Sequence, residues 1–255
     1  MTGEHKAILI ITIITLVIIV AGVTLSGKKT ATSPSITIDP MALVSSTTPT
    51  MHAETARISI VGFEDFACPA CAMLHPYLKE TLASYNGAVS FSLRLLPIHA
   101  GESIKSAVAA YAAGTQGKFF EMADLLFTNQ QAWFGKNDAE SKVLFIGYAN
   151  SLGLDIPAFT ALINSPDYIK SIETIVMQDK IDATKMGIRS TPTLVINGKQ
   201  VVVGVQKTDA LKRLIDAELA TLETSSTTPT ASATPTPQSA INPQSATPAS
   251  PSTAR

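Results

Sequence analysis

The sequence has few cysteines and no excess of either charge. Only two cysteines occur in 255 residues, Cys68 and Cys71. A disulfide scaffold would place several cysteines far apart along the chain, so this class of small stapled domain is excluded. The 19 basic and 20 acidic side chains nearly cancel. Nucleic-acid binding normally requires a concentrated basic face, so we predict no nucleic-acid partner.

The sequence also lacks the ligands of a cysteine-based zinc site, which needs further cysteines or histidines at metal spacing. The histidines are not arranged as a second ligand pair: His5, His52, His75 and His99. We therefore predict no metal and no cofactor. The cysteine pair is then a redox pair, a local disulfide without function or a chance spacing, and the surrounding residues have to decide between them.

One long uncharged run lies near the start of the chain. Residues 7–27 form a stretch of 21 residues without a charged side chain. At about 1.5 Å per residue, such a helix spans a hydrocarbon core of about 30 Å. A cleaved signal peptide usually has a shorter apolar region that ends in small residues, and residues 23–28 make a poor cleavage site. We predict residues 1–27 to be an uncleaved, single-pass transmembrane anchor.

Two segments poor in large apolar residues flank a part that is long enough to fold. Residues 28–55 are interpreted as a linker, and residues 224–255 consist mainly of Ser, Thr, Pro, Ala and Gln. Such a tail cannot bury enough surface to offset its ordering entropy, so we predict disorder. Residues 56–223 remain for one domain with an ordinary hydrophobic core.

The pattern of this domain predicts an α/β fold. The expected strands are β-branched or alternating runs at 57–63, 89–95, 193–196 and 200–203. The expected helices cover about 69–85, 104–111, 119–127, 143–152, 156–163, 166–186 and 209–222. Asn197-Gly198 between the last two strands indicates a hairpin. The order indicates a central sheet with a helical block, about residues 101–186, inserted in its middle.

The two cysteines form a Cys-Pro-Ala-Cys sequence at the predicted start of helix 69–85. Disulfide exchange needs a thiolate, whereas a free cysteine with a pKa of about 8.5 is mostly thiol at neutral pH. The unpaired N–H groups and the dipole at a helix N-terminus favour the thiolate. We predict Cys68, at the exposed mouth of the helix, to be the attacking sulfur. Cys71, one turn further in, would resolve the mixed disulfide.

The residues around the pair resemble the DsbA-like branch of the thioredoxin superfamily. The resemblance spans about residues 56–222 and rests on Phe66 to Cys71, Thr191-Pro192-Thr193, the Asn197-Gly198 hairpin and the stretch 96–133. It implies a thioredoxin-like fold with a central mixed sheet and an inserted helical subdomain. It also implies that Pro192 is cis and lies beside the sulfurs. Thr191 would then offer backbone hydrogen bonds to a bound polypeptide.

One position departs from that family. Many of its members carry a buried acidic residue six positions before the first cysteine, where this sequence has Gly62. Glu64 lies on the same face if the strand continues. Two interpretations stay open: Glu64 assists proton transfer to the resolving sulfur, or it is an exposed residue without a role. Asp65 is interpreted as a turn residue, and His99 as a packing or capping residue rather than part of the site.

These features predict a membrane-anchored thiol:disulfide oxidoreductase that acts on cysteines of extracytoplasmic polypeptides as an oxidant. A second partner, in the membrane or soluble, would reset its active site. The outward placement follows from the family and the anchor, because the lysines that flank the span give no orientation. Two alternatives stay open. One is a reductase or isomerase of the same fold, and the other is a non-catalytic, membrane-tethered binding module.

Overall fold

A computed structural model describes residues 38–39 and 42–226 of the chain, without the side chains of residues 225 and 226. The predicted anchor (1–27) and most of the predicted tail (224–255) lie outside the described residues. In the part that is described, no helix is both long enough and apolar enough to span a bilayer.

The described residues form a sheet with helices on both sides. Its strands are β1 (Thr50–Met51), β2 (Ile58–Glu64), β3 (Val89–Leu95), β4 (Thr193–Ile196) and β5 (Gln200–Val203). The helices are α1 (Pro69–Ser84), α2 (Ala100–Gly114), α3 (Phe119–Thr128), α4 (Gln130–Trp133), α5 (Asp138–Ser151), α6 (Ile156–Asn164), α7 (Pro166–Lys185) and α8 (Thr208–Ser226).

The sheet is mixed, as the sequence predicts. Its strand order is β1-β3-β2-β4-β5. β2 and β3 run parallel, joined by the crossover helix α1, and the other neighbours are antiparallel. Helices α2 to α7 are inserted between β3 and β4. The thioredoxin-like topology with a helical insertion is therefore confirmed.

Both faces of the sheet are buried, which explains the nearly continuous apolar run of β2. Ile58 and Ile60 point into a core that includes residues of α1 and α8. Val61 and Phe63 point to the opposite face and meet a smaller cluster from the end of α7. Because β2 is held by neighbours on both sides, its last residues have a fixed position beside the start of α1.

Part of the segment interpreted as a linker lies against the domain. β1 pairs with β3, with Thr50 opposite Ser92, and the hydroxyls of these two residues are 2.9 Å apart. Leu43 is buried in the smaller cluster. The sequence does not indicate β1, because a strand of two residues has no periodicity to recognise.

Arg94 is a deeply buried charge in the sheet. It lies on β3 among polar residues that alternate with apolar ones, yet only 1% of its surface is exposed. Its guanidinium donates to Asp179 at 2.7 Å and to Asp182 at 2.8 Å. It also lies over the ring of Phe63, 5.6 Å from the ring centre. The polar face of β3 is thus covered by α7 and carries an internal ion-pair network.

Candidate active site

The cysteine pair lies at the start of helix α1, shortly after the end of the central strand β2. β2 ends at Glu64, a short turn follows, and Cys68 is the N-cap residue of α1 with Pro69 in the first helical turn. Both cysteines are free thiols. Cys71 is fully buried and Cys68 is 5% exposed. Cys68 is the more accessible of the two, as predicted, but the prediction of an exposed Cys68 is wrong, because the segment at Thr191 lies against its sulfur.

The Cys68 sulfur is stabilised as a thiolate. Its pKa is lowered to about 5, chiefly because the Cys71 thiol donates a hydrogen bond to it. The backbone N–H groups of Cys71 and Ala70 add to this effect, whereas burial opposes it. These amides belong to the unpaired first turn of the helix, where negative charge is favoured. Cys68 is therefore ionised at neutral pH.

The Cys71 sulfur, in contrast, is held as a protonated thiol. Burial raises its pKa far above the ordinary value of a cysteine. Its hydrogen bond to Cys68 and the nearby charge of Glu64 act in the same direction. The pair is thus asymmetric, with a nucleophilic sulfur that keeps slight access to solvent and a protonated one behind it.

Thr191 and Pro192 come from the far end of the domain to lie beside the sulfurs. The Thr191–Pro192 peptide bond is cis, as the family resemblance implies. The Cys68 sulfur lies 3.7 Å from the Thr191 carbonyl oxygen, to which it can donate when it is protonated, and this contact joins positions 123 residues apart in the chain. The carbonyl of Pro192 accepts from the N–H of Gly204 at 2.8 Å, and this bond fixes the loop against β5.

Glu64 lies inside the protein and not at its surface. β2 continues through Glu64, so its side chain shares a face with Gly62. The side chain is 1% exposed, and its Oε2 atom has no hydrogen-bond partner among the residues that the structure describes. Burial, assisted by the charge of Cys68, raises its pKa to about 8. The exposed interpretation is therefore wrong.

Gly62 makes room for that carboxyl group. A Cβ atom at position 62 would lie 2.8 Å from Oε1 of Glu64 and 3.0 Å from the ring of Phe91. Both distances are shorter than ordinary van der Waals contact. The glycine at position 62 thus leaves free the space that the carboxyl group of Glu64 occupies.

Asp65 does more than make a turn. Its backbone carbonyl accepts from the N–H of Cys68 at 2.9 Å, as a turn residue would. Its buried carboxylate also accepts from the N–H groups of Ala67 and Ile98, from His99 Nδ1 at 2.9 Å and from the Ser103 hydroxyl at 2.8 Å. His99 occupies the N-cap position of α2 and packs edge-on against Phe134, in line with the predicted packing or capping role, and through Asp65 it also reaches the active-site turn.

Two further residues support the turn and were not identified from the sequence. Ser103 binds Asp65, and the Gln130 side chain donates to the carbonyl of Phe66 at 2.7 Å. Both lie in the helical insertion, far from the cysteines in sequence. An Asp directly after a buried strand was the one local signal, because Asp side chains often bind the backbone two residues on.

Comparison with known proteins agrees with this geometry. A family model described as Thioredoxin matches residues 45–217. The thiol-disulfide exchange protein alpha-DsbA2 from Wolbachia pipientis is similar in structure, with a TM-score of 0.59 and 22% identity over 69% of this chain and 89% of that one. A thioredoxin-like oxidoreductase from Silicibacter pomeroyi DSS-3 gives a TM-score of 0.58 and 21% identity over 71% of this chain and 98% of the other.

Two more relatives add context. A periplasmic thioredoxin-like protein from Salmonella enterica serovar Typhimurium has a TM-score of 0.58 and 20% identity, covering 72% of this chain and 98% of that one. The Na(+)/H(+) antiporter NhaA from Herminiimonas arsenicoxydans is 32% identical over 148 residues, or 58% of this chain. The match spans only 22% of the antiporter's length. By its family match, this chain belongs to the thioredoxin family, and its fold is that of DsbA-like thiol–disulfide exchange proteins.

Proposed function

We propose that the chain is a thiol:disulfide oxidoreductase that exchanges disulfides with cysteines of other polypeptides. The observation that carries this proposal is the asymmetry of the sulfurs. Cys68 has its pKa lowered to about 5 and is the more accessible of the two, while the pKa of the buried Cys71 is raised. Cys68 is thus prepared to react first and Cys71 second, whereas a disulfide with a purely structural role would not require this difference.

As an oxidant, the protein starts from a Cys68–Cys71 disulfide. A substrate thiolate attacks the Cys68 sulfur, a mixed disulfide forms, and Cys71 leaves with the electron pair of the broken bond. A second substrate thiolate then attacks the substrate sulfur of the mixed disulfide, and Cys68 leaves as a thiolate. The substrate gains a disulfide and the protein retains two electrons, which a redox partner removes as it restores the Cys68–Cys71 bond.

Glu64 supplies the proton that the Cys71 sulfur needs when it leaves. With its pKa raised to about 8, the carboxyl is protonated at neutral pH and can act as an acid. In its ionised form Glu64 also raises the pKa of the Cys71 thiol, which supports a proton exchange between the two groups. Glu64 thereby takes the part of the acid that the family usually carries at position 62.

Thr191 and Pro192 position the substrate polypeptide. A chain linked to the Cys68 sulfur has to pass the Thr191 carbonyl, which lies 3.7 Å from that sulfur. Backbone hydrogen bonds with an extended substrate segment at this edge would hold it without demanding a particular side-chain sequence. Such binding suits an enzyme with many substrates.

The domain is proposed to work outside the cytoplasm, attached to the membrane by residues 7–27. The uncharged run is long enough to span a bilayer, and one structural relative is named as periplasmic. Residues 28–55 would link anchor and domain, although residues from about 42 onward lie against the sheet. The match to an antiporter gives no reason to propose transport, because it covers a small part of that protein.

The low pKa of Cys68 favours the oxidising direction. A stabilised thiolate stabilises the dithiol form, and this makes the corresponding disulfide a stronger oxidant. Equilibration with glutathione buffers is expected to give a reduction potential above about −200 mV. A potential near that of thioredoxin, about −270 mV, would instead assign the protein to the reductases.

A cysteine-trapping experiment tests the function itself. Cys71→Ser is expected to accumulate mixed disulfides, because the Cys68 thiolate still attacks disulfides of other polypeptides, whose second sulfur leaves as a thiolate, and no Cys71 sulfur remains to release the bound chain. The measurement is non-reducing electrophoresis of acid-quenched cells, followed by identification of the trapped chains. Cys68→Ser is the matched control and should trap almost nothing, since its remaining thiol is fully buried. Equal trapping by both variants, or none by either, would favour a non-catalytic binding module.

A further inference from the structure

A cavity opens beside the active site between the sheet, α1 and α3. Its volume is about 510 Å³, within the range of small-molecule sites. Most of its wall is apolar and comes from all three elements: Leu78, Leu82, Phe91, Leu93, Phe120, Ala123 and Phe127. Most of these side chains are nearly closed to water, but Leu82 and Phe120 are half-buried, and a ligand in the cavity would cover their remaining apolar surface.

The cavity reaches the carboxyl group of Glu64, which is among its lining residues. This side chain is 1% exposed, and its Oε2 has no hydrogen-bond partner in the described part of the protein. A buried polar atom without a partner is costly, and proteins rarely retain one without a use. Proton transfer uses the acidic proton of Glu64, but it does not by itself provide Oε2 with a partner.

Most of the other polar groups that line the cavity have partners already, and His52 is exposed to solvent. His75 Nε2 lies 2.8 Å from Asp124, which Lys79 also binds. Glu121 accepts from Lys118 at 2.8 Å. These pairs leave no strong net charge to select an ion. Among the described residues that line this cavity, Glu64 is thus the buried group whose hydrogen-bonding capacity is unused.

We propose that this cavity binds a small, mostly apolar, uncharged molecule whose single hydroxyl group bonds to the Glu64 carboxyl. A hydroxyl both donates and accepts, so it matches a protonated carboxyl, which does the same. The aromatic walls at Phe91, Phe120 and Phe127 favour a flat apolar body. A cation would suit an ionised carboxylate rather than a protonated one, and an anion would find no free basic side chain inside the cavity, because Lys79 is paired with Asp124.

Paired probes test the site directly. 2-Naphthol and naphthalene have the same apolar body and differ by one hydroxyl group. Titration of the dithiol protein near neutral pH, followed by probe fluorescence, is expected to give a Kd of the order of 0.1 mM for 2-naphthol, as ligand-efficiency bounds suggest. Naphthalene should bind roughly three- to tenfold more weakly, because it lacks the hydrogen bond. This binding requires no redox turnover, so its outcome is independent of the proposed enzymatic function.

Two variants assign the binding to this cavity. Glu64→Met should abolish the preference for 2-naphthol and leave naphthalene binding in place. Ala123→Phe should fill the cavity and remove the binding of both probes, whereas Ala161→Phe, on the exposed side of α6, should bind both as the natural protein does. If Ala123→Phe does not fold, the Glu64→Met comparison decides alone. Three results would overturn the proposal: neither probe binds, the natural protein binds 2-naphthol and naphthalene with equal affinity, or the Glu64→Met variant still prefers 2-naphthol.

Discussion

Replacement of Arg94 by methionine is expected to lower the free energy of unfolding by about 3–5 kcal/mol, because it leaves buried carboxylates without their cation. Arg94 is 1% exposed and binds both Asp179 and Asp182. Asp179 is itself buried, so water cannot replace the lost charge. Its pKa, already raised by burial, would rise further once Arg94 no longer opposes that effect. Urea unfolding of the dithiol protein, monitored by circular dichroism, gives the measurement.

Arg57→Met provides the matched control for this loss. Arg57 also pairs with a carboxylate, Glu223, at 3.2 Å, but 47% and 65% of the two side chains are exposed. An exposed pair of this kind contributes about 0–1 kcal/mol. If the two substitutions destabilise the protein equally, the Arg94 network does not have the structural importance that its burial indicates.

Glu64→Gln is expected to stabilise the dithiol protein increasingly as the pH rises. The pKa of Glu64 is about 8 in the folded protein against an ordinary value of 4.5. When the pKa of a carboxyl is higher in the folded than in the unfolded protein, its contribution to the free energy of unfolding is complete below the unfolded-state pKa. That contribution is lost as the pH rises through the folded-state pKa. Glutamine does not titrate. The free energy of unfolding of the natural protein, relative to Glu64→Gln, should therefore fall by about 1.4 kcal/mol per pH unit across this window.

The measurement is a series of urea titrations from about pH 5.5 to about pH 8, with an expected relative change of roughly 3 kcal/mol. Cys68 titrates in both proteins, so most of its contribution cancels in the difference. Glu54→Gln, at an exposed position, controls for the loss of one negative charge. A difference between the natural protein and Glu64→Gln that is the same at every pH would show that the Glu64 carboxyl does not titrate within this window.

Much of the fold follows from local patterns along the chain. The buried strands β2 and β3, the helix after Cys68 and the hairpin at Asn197-Gly198 agree with the sequence within a few residues. These elements have strong periodicity or a turn sequence that admits few conformations. The short elements β1 and α4 could not be predicted, because two or four residues carry no periodic signal.

Some features of the candidate site likewise follow from local sequence, and others depend on contacts between distant segments. The spacing of Cys68 and Cys71 and the helix after them are local, and they define the reactive pair from sequence alone. The approach of Thr191 and Pro192 was expected only through resemblance to a family, because 123 residues separate Thr191 from Cys68. The contacts of Ser103 and Gln130 with the active-site turn depend on how the helical insertion folds back, which no local pattern contains.

The sequence by itself determined the chemistry of this protein: two cysteines one helical turn apart, at the start of a helix that follows a buried strand. The tertiary structure decided how that chemistry is tuned. It placed a carbonyl beside Cys68 and buried Cys71, and it enclosed Glu64 where an exposed residue was equally compatible with the sequence. It also covered the polar face of β3, so that Arg94 became an internal charge. Burial and long-range contacts set the pKa of each group, and both arise only when distant segments pack together.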